Sequence, residues 1–317
     1  MEKKKLVVLT GPTAVGKTKL SIELAKRIGG EIISADSCQV YKHMDIGSAK
    51  IHPKEMEGIP HFLIDELEPS EEFNVVVFQQ KAKKYMEEIY ERGHVPILVG
   101  GTGFYIQAVL YDINFSEDDD NHKIREELEN LAKENGAEYM HEELRKIDPV
   151  SAQNIHANNV KRVIRALEYY KLTGKKISEH NEEQRQNESP YDFSYFVLND
   201  HRELLYERID KRVDEMVMEG LIEEVTRLKN MGYNRSYVSM QALGYKEIFS
   251  FLEGEISFEE ALYIIKRDTR HFAKRQITWF KREKEVIWVN KPEFEYKNDS
   301  ILDFMQKQIN SSTKNTK

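Results

Sequence analysis

Leu6-Val7-Val8-Leu9-Thr10-Gly11-Pro12-Thr13-Ala14-Val15-Gly16-Lys17-Thr18 is an apolar run followed by a complete G-x-x-x-x-G-K-T phosphate loop. The run predicts a strand over 5–10, and a helical pattern opens at Thr18 and continues to about Ile28. Strand, loop and helix in that order are the context this motif needs. The loop's backbone N–H groups wrap phosphates, and the helix N-terminus adds a positive dipole. Lys17 is placed to reach a terminal phosphate, and the Thr18 hydroxyl to ligate Mg2+. A polyphosphate site over Gly11, Pro12, Thr13, Ala14, Val15, Gly16, Lys17 and Thr18 follows. Most such loops hold ATP or GTP; a few hold another diphosphate.

Further strands are predicted over 31–34, 95–99, 194–198 and 286–289, and most are nearly continuous in Val, Ile and Leu, as strands covered on both faces are. Strands alternating with helical patterns give a parallel α/β sheet. The middle of the chain differs. Ser116–Asp120 is a polar break, and helical patterns follow over 122–135, 137–147 and 158–172 with no strand between. The expected fold class is α/β: a P-loop NTPase-like parallel sheet flanked by helices, with an all-helical insertion domain. The expected division is a discontinuous core of 1–116 and 190–292, an insertion of 117–189 and a polar C-terminal tail of 293–317, disordered from Asn310. Helices over 201–219, 219–230 and 257–282 complete the core.

The chain has 317 residues, 32% of them charged, and no apolar run near 18 residues. The expectation is a soluble, cytoplasmic protein with no membrane partner. Cys38 is the single cysteine, which excludes an internal disulfide and a cysteine-based zinc site. The net charge is −8, yet segment 261–284 alone carries +6, leaving −14 for the rest. One strongly basic helix in an acidic chain is either a polyanion site or a solvated face. Arg267, Arg270, Lys274 and Lys281 recur on it at helical spacing. Trp279 and Phe280 either pack in the core or stack on a base.

Asp36 follows the second strand, at the crevice beside the loop. A carboxylate there can hold metal through water or accept a proton from a nucleophile; alternatively Asp36 or Ser37 caps a helix. His43 has no partner at metal-ligand spacing and reads as a surface histidine. Arg208 and Arg212 share a helix face and suit either bidentate phosphate contact or surface ion pairs. Val95–Val99 runs into Gly100-Gly101-Thr102-Gly103, small residues that suit a ligand crevice.

Together these segments resemble the bacterial tRNA dimethylallyltransferases (tRNA isopentenyltransferases). The resemblance spans most of the chain and rests on Gly11–Thr18, Asp36–Tyr41, Met44–Gly47, Gly100–Tyr105, Lys161–Glu168, Arg208–Met216, Gln241–Glu247 and Ala273–Phe280. It implies transfer of a dimethylallyl group from dimethylallyl diphosphate to N6 of the adenosine 3′-adjacent to the anticodon, in tRNAs reading codons that start with U. The loop would then hold the donor's diphosphate. Asp36 would take the amine proton. Thr13, Lys17, the loop amides, Mg2+ at Thr18 and Arg212, or Arg208 under a shifted alignment, would stabilise the leaving group.

A stacked adenosine cannot react, so the resemblance implies base flipping, with Asp36, Ser37, Cys38 and Gln39 around the flipped base. Its tRNA contacts fall on Thr102, Arg125, Lys161, Arg162, Val163, Ile164, Arg165, Gln241, Ala242, Leu243, Gly244, Tyr245, Lys246, Lys274, Arg275 and Gln276. The insertion would grip the anticodon stem-loop, and the protein would act as a monomer. Cys38, Ser48 and Lys161 depart from the family's usual residues. A single cysteine excludes the zinc finger common in eukaryotic relatives. A small-molecule kinase would explain the loop and Asp36 but not Gln241–Glu247 or Lys274–Phe280. An enzyme prenylating free AMP would leave the insertion and the basic helix without a role.

Overall fold

The computed structural model describes residues 3–115 and 122–312. The chain divides into two compact units, Met1–Leu110 with Pro190–Lys317, and Tyr111–Ser189.

The first unit is built on a six-stranded sheet: β1 (Lys4–Thr10), β2 (Gly30–Ala35), β3 (His61–Phe62), β4 (Val95–Gly100), β5 (Tyr191–Asn199) and β6 (Val286–Asn290). The order is β3-β2-β4-β1-β5-β6 and every pairing is parallel. Leu6 to Leu9 are fully buried, as expected of a central strand covered on both faces. Five of the strands follow the apolar runs of the sequence. β3 is two residues long, too short to leave a pattern.

The register sets the site. Thr10 and Ala35 both stand opposite Gly100, so the loops opening at Gly11, Asp36 and Gly101 leave the sheet at one level. Thr10 also pairs with Val197, and Val197 with Trp288, which brings the end of β6 to the same edge. The flanking helices are α1 (Lys17–Ile28), α2 (Val75–Glu91), α3 (Gly103–Leu110), α8 (Arg202–Met218), α9 (Leu221–Asn230), α10 (Tyr245–Leu252), α11 (Phe258–Phe280) and α12 (Asn298–Ser312).

α12 corrects the polar tail expected over 293–317. Ile301, Leu302, Met305 and Ile309 are buried in the same core cluster as Leu9, Leu24 and Phe196. The stripe is a one-sided helix face in a polar segment, and burying those four side chains is worth roughly 1.5–3 kcal/mol each. Arg27 of α1 also donates to Asp299 at 2.7 Å and pairs with Asp303. Residues 313–317, and the polar break at 116–120, lie outside the described residues.

The second unit is helical: α4 (His122–Ile147), α5 (Pro149–Asn154), α6 (Val160–Thr173) and α7 (Ile177–Arg185). α4 breaks at Gly136, whose φ of 85° is outside the helical range, so the two helices expected over 122–135 and 137–147 run end to end. Leu128, Met140, Leu144, Val163, Ile164 and Leu167 form its core. Asp148 is buried and accepts from the backbone N–H and hydroxyl of both Ser151 and Ser178, tying α5 to α7. Those four donors hold its carboxyl below the usual range despite the opposing effect of burial. Among the described residues no helix is long and apolar enough to cross a membrane.

Candidate active site

The phosphate loop turns through two left-handed residues, Ala14 (φ 62°) and Gly16 (φ 93°), before α1 begins at Lys17. No acidic residue occupies the first turn of α1, so nothing there offsets its positive end. Lys17 folds back and donates to the carbonyls of Gly11 (2.9 Å) and Pro12 (2.8 Å). Its ammonium is desolvated and feels the nearby Arg212 cation. Both effects lower its pKa, to about 7, against the pull of Asp36. Lys17, Arg212 and Asp36 therefore converge on the mouth of the loop.

Arg208 and Arg212 sit in different surroundings. Arg208 donates to the buried carboxylate of Asp200 at 2.6 Å and serves the scaffold. Arg212 makes no ion pair among the described residues. Burial lowers its pKa while Asp36 raises it. A desolvated guanidinium without a partner, beside a phosphate loop, is poised for an oxyanion.

No helix follows Asp36, so it closes a turn and does not cap a helix. Its Oδ1 accepts from the backbone N–H of Cys38 (2.8 Å) and Gln39 (3.4 Å), a local turn. Oδ2 has no partner among the described residues, which leaves one oxygen for chemistry. Gln39 is spent on the scaffold: it accepts from Ser34 Oγ at 2.9 Å and donates to the Ala49 carbonyl at 3.3 Å. Cys38 is pushed up to about 12 by burial and by Asp36, and stays a thiol.

Gln276, expected on RNA, is 6% exposed. It accepts from the Thr13 N–H (2.9 Å) and donates to the Gly101 carbonyl (3.0 Å), clamping the phosphate loop to the loop after β4. Close packing against α11 explains Gly101 and Gly103. A Cβ on Gly101 would stand 2.1 Å from Gln276 Nε2, and one on Gly103 2.3 Å from the Trp279 ring. Trp279 thus packs on a glycine and meets Phe104 edge-on, and Phe280 is fully buried. Replacing Gln276 by Ala strands a half-buried donor and a buried acceptor, a cost of about 1–3 kcal/mol. Gln276→Ala is expected to lower Tm and raise the donor KM while tRNA affinity holds, measured by thermal unfolding and steady-state kinetics.

Other expected RNA contacts are also internal. Val163 and Ile164 lie in the helical unit's core, and Gly244 and Tyr245 are buried. None of the four presents a side chain to solvent. Tyr245 donates to Glu224 at 2.7 Å, and that buried carboxylate also accepts the N–H groups of Asp45, Ile46 and Gly47. The Met44–Gly47 motif is thus a backbone cradle for Glu224, a residue with no sequence signature of its own.

Arg125 and Arg165 hold the buried carboxylate of Glu168. On α11, Arg270 pairs with Asp210 and Lys266 with Asp214, both on α8. Lys274, Arg275, Lys281 and Arg282 stay exposed with no ion pair among the described residues. Lys161 and Arg162 are likewise exposed at the start of α6. His43 lies 3.7 Å from Glu68, and no group of three or more His, Cys, Asp or Glu side chains among the described residues is arranged to hold a metal.

Sheet, loop and converging charges define a phosphate-binding α/β enzyme whose site lies beyond the carboxyl ends of its strands. Residues 39–283 match the model of the IPP transferase family, and the chain belongs to that family. It is 65% identical over 303 residues to a tRNA dimethylallyltransferase of Lachnoclostridium phytofermentans, covering 95% of this chain and 96% of that one. The full-length tRNA isopentenylpyrophosphate transferase of Bacillus halodurans is 46% identical, with TM-score 0.74 and 98% and 99% of the two chains covered. A eukaryotic dimethylallyltransferase solved acting on tRNA is 32% identical, with TM-score 0.78 over 90% of this chain and 74% of that one.

Proposed function

We propose that the protein transfers a dimethylallyl group from dimethylallyl diphosphate to N6 of the adenosine 3′-adjacent to the anticodon, in tRNAs reading codons that start with U, and releases diphosphate. The observation that carries this is the convergence of Lys17, Arg212 and a half-free Asp36 at the phosphate loop of an IPP transferase. A kinase could use the same three groups; membership of the IPP transferase family is what favours the alkylation. The bond from N6 to C1 of the allyl group forms as the C1–O bond breaks. The electron pair leaves with the diphosphate, and the amine proton passes to Asp36 Oδ2.

An exocyclic adenine amine is a weak nucleophile, its lone pair delocalised into the ring, so an acceptor for that proton is needed. Charge grows on the diphosphate oxygens as they leave. Lys17, Arg212, the loop amides and the Thr13 hydroxyl would stabilise that charge; the Thr13 N–H itself is held by Gln276. Thr18, exposed at the first turn of α1, is the residue that would hold Mg2+. So small a protein donor set suits an ion that draws most of its ligands from diphosphate and water. When bound, it neutralises part of the leaving group's charge.

Incubation with unmodified tRNA, labelled dimethylallyl diphosphate and Mg2+ tests the reading, with ATP and AMP as competitors. Label on tRNA is expected. Phosphoryl transfer from ATP, or label on AMP with none on tRNA, would overturn it. The tRNA is expected to lie on Lys274, Arg275, Lys161 and Arg162. Lys274→Ala should weaken tRNA binding and reduce the slope of log K against log salt by about 1. Arg270→Ala, which breaks the Asp210 pair, should lower Tm and leave that slope unchanged.

A further inference from the structure

Lys291 lies outside the segment that matches the family and carries no motif. It opens a 3-10 turn, Lys291–Phe294, directly after β6. The register places that turn beside the phosphate loop, since Trp288, Val197 and Thr10 share one level. Lys291 Nζ donates to the Val15 carbonyl at 3.3 Å and would stand 3.4 Å from a Cβ on Gly16. It forms no ion pair with a carboxylate among the described residues.

The turn is fixed from behind. Phe294 packs on Phe304 of α12, with ring centroids 5.4 Å apart. Tyr296 donates to Asp200 Oδ1 at 3.1 Å, and Asn199 donates to Asn290 Oδ1 at 3.0 Å. Asp200 in turn holds Arg208. Burial and the nearby Arg208 cation lower the Lys291 pKa, and Asp200 partly opposes them. A desolvated ammonium is thus held against the outside of the loop by the C-terminal segment.

We propose that Lys291 is a positioning residue for the donor diphosphate, acting through the Val15–Gly16 peptide. Its ammonium polarises the Val15 carbonyl, and the Gly16 N–H of the same peptide becomes a stronger donor to phosphate. It also holds a stretch that must keep left-handed φ at Ala14 and Gly16, and adds a positive charge behind the amides. This inference rests on the diphosphate reading of the loop.

The test is titration of wild type, Lys291→Met and Lys291→Arg with inorganic diphosphate and Mg2+ by calorimetry, with Tm and tRNA affinity read in parallel. Lys291→Met is expected to weaken diphosphate about tenfold, the usual worth of one charged hydrogen bond, while Lys291→Arg recovers most of the loss. Transfer kinetics should show the Met change in the donor KM, with the KM for tRNA unmoved. Wild-type binding with Met within twofold of it would overturn the role of Lys291 alone. Equal losses in Met and Arg, or a matching loss of tRNA affinity, would also overturn it. Failure of wild type to bind diphosphate would instead remove the donor reading itself.

Discussion

Asp36→Asn is expected to lower the transfer rate by roughly 10^3-fold, within the usual worth of a positioned general base, while leaving donor binding nearly intact. Asn is the informative replacement because Asp36 does two things. Oδ1 accepts from the N–H groups of Cys38 and Gln39, and an Asn side chain keeps that acceptor. Oδ2 faces the site, and in Asn it becomes an amide that cannot take a proton. Asp36→Ala loses both functions and is expected to show a lower Tm as well as lost transfer. Single-turnover transfer and diphosphate titration on both variants separate the effects. Near-normal turnover in Asp36→Asn would refute the proton-acceptor role. A small loss of diphosphate affinity in Asn is expected above neutral pH, because Asp36 helps keep Lys17 charged.

The parts of the site legible in the sequence are those where one residue type is chemically forced. A phosphate loop needs its glycines, Lys17 and Thr18 at fixed spacing, and a buried parallel strand needs a run such as Leu6–Leu9, so both read directly. Arg208 and Arg212 read alike, because they lie one helical turn apart on α8 and only the Asp200 contact distinguishes their surroundings. The motif residues Gln276 and Tyr245 were legible as important, but not that both side chains are buried. They look like surface chemistry, yet each serves a close approach of backbone segments far apart in sequence. Glu224 and Lys291 carried no signal: a carboxylate in an amphipathic helix and a lysine after a strand are ordinary until the partner loop is known. α12 was missed because Ile301, Leu302, Met305 and Ile309 are diluted by polar neighbours, so composition said tail where periodicity says helix.

Lys17 links donor binding to pH, and the sign follows from its surroundings. In the empty protein its pKa is lowered to about 7, first by burial and then by Arg212. A bound diphosphate supplies negative charge and raises it. Binding therefore takes up a proton wherever Lys17 starts neutral. Between about pH 7 and 9 the donor is fully ionised, the second pKa of such phosphates being ~6. In that window diphosphate affinity is expected to fall by up to about tenfold per pH unit, with proton uptake visible as buffer-dependent heat in calorimetry. Lys17→Met should remove the proton uptake and weaken binding by roughly 10^2-fold or more. The same substitution is expected to flatten the pH dependence of the empty protein's stability. The reason is linkage: a lysine whose folded pKa is lowered binds fewer protons folded than unfolded between about pH 7 and 10.5. Wild-type stability should therefore rise with pH across that range and the Met variant's should rise less. A flat pH profile for diphosphate binding, or stability that depends on pH equally in wild type and the Met variant, would mean that Lys17 is not held desolvated against Arg212, and the electrostatic basis for the site would fail with it.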